Sequence, residues 1–466
     1  RGIRFQTLIP DHADLTNSGL FEWGGRATRH SPRSHGQTRA HALTLGPIVR
    51  RRAGLDMADQ DGKDRVRAHY EALPYPTRDP ADEHTRLITG SPSHLDEINH
   101  YIFGGRLDFG KPFRALVAGG GTGDAAIMLA QHLAEHVPLG HVDYLDLSLA
   151  SQAVARARAE ARGLANIAFH HGSLTEPPDL GAPFDYIDCC GVLHHLPDPE
   201  AGLRTLAGLL RPGGGMGIMV YGALGRTGVY PAQAALRALA PEPDVRRRLS
   251  VARRMLGDAP ETNWLKHNPF LSSLNDDDSA LADLLLHPID RAYTVPEVAA
   301  LIDQAGLTLT ALLAPARYEP ATYLKDKDLL KRAAKLNWIE ACALAENLCG
   351  NLKIHVAYVS KGTSRDAAVA QLHDDAVPIL LRTDAAALAA HLRQRPEIKS
   401  TFDGIPVIYP VDPAMAGAVA LIDGVRSIGE LRQQAGVDGF DRGFRAVYRA
   451  LNGLSLILLR HPAPPS

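Results

Sequence analysis

The segment that most constrains this chain runs from Arg114 to Asp124 and reads RALVAGGGTGD. Its first half is short and apolar, as expected of a buried strand, and a helical pattern, AAIMLAQHLAEH, follows the glycines directly. Glycines allow a tight turn and let a ligand approach the backbone without meeting a Cβ atom, and the first N–H groups of a helix are free to face it. The order of strand, glycine turn and helix therefore predicts a site for a nucleotide-like ligand.

The spacing of the glycines narrows the choice of ligand. A dinucleotide fingerprint, G-x-G-x-x-G, would need glycine at position 124, where the chain has Asp124, and a phosphate-binding loop would need a following lysine that is absent. The chain instead reads G-x-G-x-G over 119–123. A second signal is Asp146, which ends a short apolar strand about twenty residues later, where one carboxylate can accept from both hydroxyls of a ribose. For the glycines taken alone, the alternative is a strand–helix turn that binds no ligand.

Four segments, HYEALPYP, VAGGGTG, CGVLHHLPDP and LLRPGGGM, follow one another in a familiar order. In order and spacing they resemble class I S-adenosylmethionine-dependent methyltransferases, over roughly residues 60 to 360. The resemblance is closest to a bacterial branch often joined to tetratricopeptide repeats, although no internal repeat of about 34 residues is found. It implies an α/β fold, a Rossmann-like sheet of seven strands with a helical lid and insertions, and S-adenosyl-L-methionine as cofactor. LTLTALLA and NLKIHVAYVS would supply the last, antiparallel pair of strands.

The resemblance also assigns residues to the cofactor. In the family, the positions of Ser173 and Leu174 lie beside the adenine, and many members have an acid in place of Ser173. The family usually has Asp or Glu where this chain has Val117, an acid that helps to order the methionine end of the cofactor. Ser173 therefore predicts a weaker or backbone-mediated hold on the adenine amino group, and Val117 puts the anchor at the methionine end in question. The implied cofactor residues are Ala118, Gly119, Gly120, Gly121, Gly123, Asp146, Leu147, Ser173, Leu174, Cys190 and His195.

Methyl transfer also needs an acceptor, aligned with the S–CH3 bond in a pocket that excludes water. A general base is required only if the acceptor must lose a proton. The predicted catalytic residues are His194, at the end of strand four, and Tyr70, in a segment that forms a lid in related methyltransferases. Tyr75 and His94 are further candidates for the substrate side. For each of them the alternative is a structural role, in packing the loop or holding a helix against the domain.

Changes in composition divide the chain into four parts. The first part is rich in Arg, His, Ser and Gly and lacks the apolar run of a secretory signal, so we expect it to be disordered. Because Met57 is the first methionine, we also favour translation from Met57, with the given start placed too far upstream. Beyond Gly362, small polar residues are typical of a linker, and the last part resembles a small winged-helix domain. The predicted parts are 1–56, a disordered extension; 57–362, the methyltransferase domain with helical insertions at about 224–290 and 315–350; 363–400, a linker; and 401–466, an α+β winged-helix-like domain.

Composition limits the function further. A formal net charge of −2 gives no general attraction to nucleic acid or membranes, and no apolar run is long enough to span a bilayer. Four cysteines in 466 residues fit a reducing cytoplasm, and no metal-ligand spacing is found in the sequence. We therefore expect a cytoplasmic methyltransferase that acts on an unidentified protein side chain or small metabolite. A homodimer is a compatible assembly.

Two alternatives belong to other functional classes. One is a non-catalytic, S-adenosylmethionine-binding regulatory protein, for which the departures at Val117 and Ser173 leave room. The other is a winged-helix regulator that binds DNA, with Arg442, Arg445 and Arg449 on one helical stripe. Because acidic residues at 438 and 441 lie beside that stripe, nucleic acid is the less favoured partner.

Overall fold

The computed structural model describes four stretches of the chain, residues 53–181, 183–242, 244–268 and 277–462. The predicted disordered extension, 1–56, lies outside them except for its last four residues. Those residues belong to helix α1, Ala53–Ala72, so disorder is wrongly predicted there.

Seven strands form the central sheet: β1 Phe113–Ala118, β2 Gly140–Asp146, β3 Ile167–His171, β4 Phe184–Cys190, β5 Leu210–Tyr221, β6 Thr308–Leu313 and β7 Ile354–Ser360. Their order across the sheet is β3–β2–β1–β4–β5–β7–β6. Strands β1 to β5 run parallel, and β7 lies antiparallel between β5 and β6. The predicted Rossmann-like sheet and its last antiparallel pair are confirmed. Because the strand order reverses between β1 and β4, the carboxyl ends of these two strands border a crevice where a ligand can bind.

Helices cover both faces of the sheet, since parallel strands are apolar on both sides. The covering helices are α2 Leu95–Ile102, α3 Asp124–His136, α4 Leu149–Arg162, α5 Pro199–Leu209 and α9 Val295–Gln304. Residues of α2 and α3 join the apolar core on one face, and residues of α5 and α9 join the core on the other. Within the described stretches, no helix combines the length and the apolar composition needed to cross a membrane.

A helical insertion with its own apolar core lies between β5 and β6. Its helices are α6 Val229–Leu239, α7 Val245–Asp258 and α8 Asp278–Leu286. Helix α8 is buried from Ser279 onwards, as its largely apolar sequence requires. A second group of helices follows β6 and leads to β7: α10 Pro320–Tyr323, α11 Lys327–Ala333 and α12 Trp338–Cys349.

The predicted linker at 363–400 is wrong, because this region is folded. It contains α13 Arg365–Ala368, β8 Val377–Leu380, α14 Ala385–Gln394 and part of β9 Glu397–Phe402. The chain continues through β10 Ile405–Pro410, α15 Met415–Ala420, α16 Ile428–Ala435, α17 Phe440–Gly453 and β11 Ile457–Arg460. β8 pairs with β11 and β9 pairs with β10. The sequence gives little sign of β8, because the strand has four residues and its partner lies near the end of the chain.

The C-terminal unit, 377–460, packs against α2. The fully buried His100 accepts a hydrogen bond from the Leu459 N–H group at 2.9 Å, and burial lowers the pKa of His100 to about 4. Arg460 pairs with Asp96 at 2.6 Å. Leu458 joins the apolar core on the α2 face of the sheet. The last strand of the chain therefore contributes to the same core as the central sheet.

Candidate active site

The glycine turn follows β1 at the edge of the crevice. Gly119, Gly121 and Gly123 have φ angles of 79°, 51° and 105°, a region that favours glycine. A Cβ atom at Gly119 would overlap the side chain of Val192, in the loop after β4. The turn therefore presents bare backbone beside Ala118, the last residue of β1.

The N–H groups of the turn already have partners inside the protein. Those of Gly119 and Gly120 donate to the Leu145 carbonyl at 2.8 and 3.2 Å, and that of Gly121 donates to Asp146 Oδ2 at 2.8 Å. The expectation of free N–H groups concerned the first turn of α3, which begins at Asp124, and the N–H groups of these three glycines are bound by acceptors on β2. What the turn offers a ligand is close approach to the backbone.

Asp146 is half-buried beside the turn, as the last residue of β2. Its Oδ1 accepts from the Ser148 N–H group at 2.7 Å, while Oδ2 accepts from Gly121. A carboxylate has about four acceptor positions, so capacity remains for a ribose hydroxyl beside these backbone donors. Burial raises the pKa of Asp146, and the backbone hydrogen bonds oppose that shift. The carboxylate is thus held in a fixed orientation with acceptor capacity to spare.

The remaining predicted cofactor residues stand at the same end of the sheet. Leu147 follows the last residue of β2, and Cys190 is the half-buried last residue of β4. Ser173 lies in the turn after β3, where its hydroxyl and that of Thr175 are 2.9 Å apart. Leu174 is buried in the apolar core, so it supports the crevice through packing.

A carboxylate lies next to Val117, the position where the resembling family usually has an acid. Asp188 of β4 is paired with Val117 of β1, so the two side chains project from the same face of the sheet. The Ser93 hydroxyl donates a hydrogen bond to the buried Asp188 carboxylate at 2.7 Å, and burial raises the pKa of Asp188 to about 6. A neighbouring strand thus carries the acid that β1 lacks.

The segment after α1 lies against the glycine turn and is held there by ion pairs. Arg78 forms two hydrogen bonds with Asp124, at 2.9 and 2.7 Å. The buried Arg158 joins Asp124 to Glu83, at 2.7 Å from each. The Tyr75 carbonyl then faces the glycine turn. Since removing one partner of a buried ion pair is costly, this network fixes the lid segment to α3 and α4.

A second group of side chains surrounds the carboxylate of Asp283, on α8. The Tyr70 hydroxyl donates to Asp283 Oδ1 at 3.0 Å, and the Tyr221 hydroxyl donates to Oδ2 at 2.6 Å. Burial raises the pKa of both tyrosines well above the usual value, so both remain protonated donors at neutral pH. The Asp283 side chain itself is 5% exposed. Together with the two histidines described next, these residues form what we call the Asp283 cluster: Tyr70, His195, Tyr221, Asp283 and His287.

Two buried histidines complete the Asp283 cluster. His195 Nε2 lies 3.9 Å from Asp283 Oδ1, and His195 Nδ1 lies 2.7 Å from the Ile289 carbonyl oxygen. Because a carbonyl can only accept, Nδ1 carries the proton and Nε2 carries the lone pair. The His287 ring stacks on that of His195, with centroids 3.5 Å apart. Burial lowers the pKa of both rings, so both are neutral near pH 7.

The structure brings together both residues that the sequence predicts on the acceptor side. Tyr70 belongs to the Asp283 cluster, and the buried His194 lies beside it, with its ring centroid 3.8 Å from that of Tyr221. His195, predicted as a cofactor contact, is held within the cluster.

His94 lies elsewhere, so the prediction of a substrate-side role for it is wrong. Its Nδ1 caps α2 by accepting from the Asp96 N–H group at 3.2 Å. Its ring lies 4.9 Å from that of His132 on α3, centroid to centroid.

Three members of the Asp283 cluster were missed by sequence reasoning. Asp283 is the one acid within the apolar run ALADLLL, a signal that could have identified it. Tyr221 ends β5, at the same edge of the sheet as the glycine turn. His287 directly follows α8, and nothing in its local sequence distinguishes it.

The fold and the crevice define a class of protein. A Rossmann-like sheet in this strand order, with a glycine turn after β1 and an acid at the end of β2, is the architecture of a nucleotide-type cofactor site. Residues 116–216 match the family of methyltransferase domains. That segment contains the glycine turn, Asp146 and both histidines of the loop after β4. The segment is therefore similar to methyltransferase domains.

Particular known proteins are similar to parts of the chain. An uncharacterised protein of Synechococcus is 31% identical over 277 residues, which cover 57% of this chain and 64% of that protein. The tRNA 5-carboxymethoxyuridine methyltransferase of Escherichia coli is 38% identical over 116 residues, 24% of this chain and 41% of the enzyme. The chain thus matches less than two thirds of the length of either relative. PKMT2 from Rickettsia typhi, solved in complex with AdoHcy, shares the fold with a TM-score of 0.53, at 15% identity over 79% of this chain and 75% of that one.

Proposed function

We propose that this chain transfers a methyl group from S-adenosylmethionine to an acceptor bound at the Asp283 cluster. The observation that carries the proposal is the glycine turn closing on Asp146 inside a methyltransferase domain, with a buried polar cluster beyond the ends of β4 and β5. The cofactor supplies a methyl group on a sulfonium, whose leaving group departs as a neutral thioether. The protein therefore has mainly to bind, align and exclude water.

The cofactor side consists of backbone and one carboxylate. In this proposal the turn at 119–123 lies against the adenosine, and Asp146 accepts hydrogen bonds from the two ribose hydroxyls. Leu147, Ser173 and Leu174 border the adenine. Asp188 supplies negative charge near the methionine end, in place of the acid that is missing at Val117.

The acceptor side consists of side chains from separate elements. Tyr70 and His194 remain our proposed catalytic residues, the groups that touch the acceptor. Tyr221 and Asp283 hold Tyr70 in place through the shared carboxylate. The lid segment and α8 exclude water, which strengthens the polar interactions inside the crevice. The acceptor is a protein side chain or a small metabolite.

A cofactor titration followed by a transfer assay tests this function. Calorimetry of the full chain with S-adenosylmethionine should show one site, and Asp146→Ala should weaken binding by at least about 10-fold, because a charged acceptor is lost. Glu160→Ala, on the exposed face of α4, is the matched control and should bind as the wild type does. A labelled methyl group should then pass from the cofactor to a component of cell extract. Absence of binding would overturn the proposal, while tight binding without transfer would favour the regulatory alternative.

One arginine of the basic stripe considered for DNA is already paired within the chain. Arg449, one of the three arginines on the predicted basic stripe, pairs with Glu319 at 2.7 Å, and the Tyr448 beside it packs against α2. The strand pair β9–β10 precedes the three helices α15 to α17. We propose that this unit, interpreted as winged-helix-like, supports helix α2 or presents the acceptor.

A further inference from the structure

We propose that His195, Asp283 and His287 form a binding site for a divalent transition-metal cation, with Zn²⁺ as the ion that best suits the donor set. The proposal deepens the proposed function, because the site lies where the acceptor would bind. It also stands on its own geometry, so metal binding can be measured without any transfer assay.

The three residues place their ligand atoms together in a buried space. One nitrogen of each imidazole and one Asp283 oxygen lie within 4.8 Å of one another. The three residues are 4–6% exposed, and they come from two segments far apart in sequence, the loop after β4 and the end of the insertion. A compact set of two imidazoles and one carboxylate is a common ligand set of catalytic zinc sites.

Two acceptors face each other across this space. His195 Nε2 carries a lone pair, since Nδ1 donates to the Ile289 carbonyl, yet it points towards Asp283 Oδ1 at 3.9 Å. His195 Nε2 has no proton to donate to the carboxyl oxygen, because the ring proton is on Nδ1. A cation bound by both atoms removes that mismatch.

The His287 ring supplies a second unpaired group. It is 6% exposed, and its Nε2 has no hydrogen-bond partner among the described residues. Its Nδ1 is next to both the N–H group and the carbonyl of Ile289. Donation from Nδ1 to the carbonyl leaves a free lone pair on the buried Nε2, which is the form that ligates a metal.

Two of the ligand residues have outer hydrogen-bond partners of the kind found in known metal sites. Metal-bound histidines usually donate their other ring nitrogen to a carbonyl or carboxylate, and ligating carboxylates are themselves hydrogen-bonded. Here the Ile289 carbonyl holds His195 Nδ1, and the hydroxyls of Tyr70 and Tyr221 hold the carboxylate of Asp283. Coordination by both rings requires them to turn from their stacked arrangement, because each lone pair lies in the plane of its ring.

The charge of the cluster also favours a cation. Among the described residues, Asp283 forms no ion pair with a lysine or arginine, and the nearby Arg226 pairs with Asp290 at 2.6 Å. One buried negative charge therefore lacks a cationic partner. Imidazole suits Zn²⁺ and its transition-metal neighbours, whereas Mg²⁺ and Ca²⁺ prefer sites made of oxygen ligands.

Zinc titration of the full chain tests the site. After dialysis against a chelator, the wild type should bind one Zn²⁺ per chain in competition with a chromophoric chelator. His287→Ala and Asp283→Asn should each weaken that binding by more than about 100-fold, a larger effect than the 10- to 100-fold typical of residues that only orient ligands. His171→Ala, an exposed histidine outside the cluster, should bind zinc as the wild type does. Asp283→Asn retains the size of the side chain, and circular dichroism verifies that each variant is folded.

The outcomes are distinct. Zinc affinity that is equal in the wild type, His287→Ala and Asp283→Asn would overturn the metal site, as would a wild type that binds no zinc. Calorimetry with S-adenosylmethionine on the same samples reports separately on the proposed function. Zinc bound at the cluster without cofactor binding would overturn the methyltransferase proposal and support the metal site. Cofactor binding without zinc binding would support the methyltransferase proposal and overturn the metal site.

Discussion

The two sides of the crevice are built in different ways. The centre of the cofactor side comes from two adjacent strands: the turn at 119–123 follows β1, Asp146 ends β2, and the Gly121 N–H group donates a hydrogen bond to the carboxylate. The Asp283 cluster draws on α1, the loop after β4, the end of β5, and the end of the insertion. A site made of backbone leaves a sequence pattern, whereas a site made of dispersed side chains leaves almost none.

The largest effect is expected at Gly119. Its positive φ and its contact with Val192 both oppose a Cβ atom, so Gly119→Ala should lower the free energy of unfolding by about 3 kcal/mol and abolish measurable cofactor binding. Gly163→Ala is the matched control, because Gly163 has a φ of 71° with open space around it. It should lose only about 1–2 kcal/mol, and urea denaturation measures both. Equal losses would show that the turn is not crowded.

Asp188 makes the cofactor side sensitive to pH. An acid whose pKa is higher in the folded than in the unfolded protein stabilises the fold while it is protonated. For Asp188 this stabilisation is complete below the unfolded pKa of about 4 and is lost as pH rises to the folded pKa of about 6. Relative to Asp188→Asn, the wild type should therefore lose about 3 kcal/mol of stability over this range. Unfolding free energies of both proteins at pH 4 and pH 7 provide the measurement. A difference that does not change with pH would contradict a raised pKa.

Tyr221→Phe examines the Asp283 cluster alone. It removes one donor to the Asp283 carboxylate and should cost about 1 kcal/mol of stability. The turnover rate should fall while cofactor affinity stays unchanged, because the hydroxyl is bound to Asp283 on the proposed acceptor side. Tyr293→Phe is the control: among the described residues the buried Tyr293 hydroxyl has no hydrogen-bond partner, so its loss should be neutral. A weakened cofactor affinity in Tyr221→Phe would contradict the claim that the Asp283 cluster does not contribute to cofactor binding.

The smallest effect is expected at Ser173. Since many members of the resembling family have an acid at this position, Ser173→Asp should strengthen cofactor binding by about 5-fold, or about 1 kcal/mol, the size of one added hydrogen bond. Thr175→Asp adds the same charge two residues later and should leave the affinity unchanged. Calorimetry distinguishes the two variants, and equal effects would point to charge alone.

The sequence predicted the sheet, its antiparallel end and the placement of Asp146, because each depends on local patterns of apolar residues and glycines. It missed β8, whose four residues are stabilised by a strand from the end of the chain. It also missed Asp283 and His287, because their meeting with Tyr70 depends on how the insertion folds back over the crevice. For His94 the sequence favoured a substrate-side role where the structure has a helix cap, because the same residue type at the start of a helix suits either role.

The central claim is that binding and transfer are carried by different sides of the crevice. The most direct test compares Asp146→Ala with Asp283→Asn in two assays, calorimetry with S-adenosylmethionine and transfer of a labelled methyl group. The account predicts that Asp146→Ala loses cofactor affinity, while Asp283→Asn binds the cofactor as the wild type does and loses transfer. Full cofactor affinity in Asp146→Ala, or full transfer by Asp283→Asn, would contradict it.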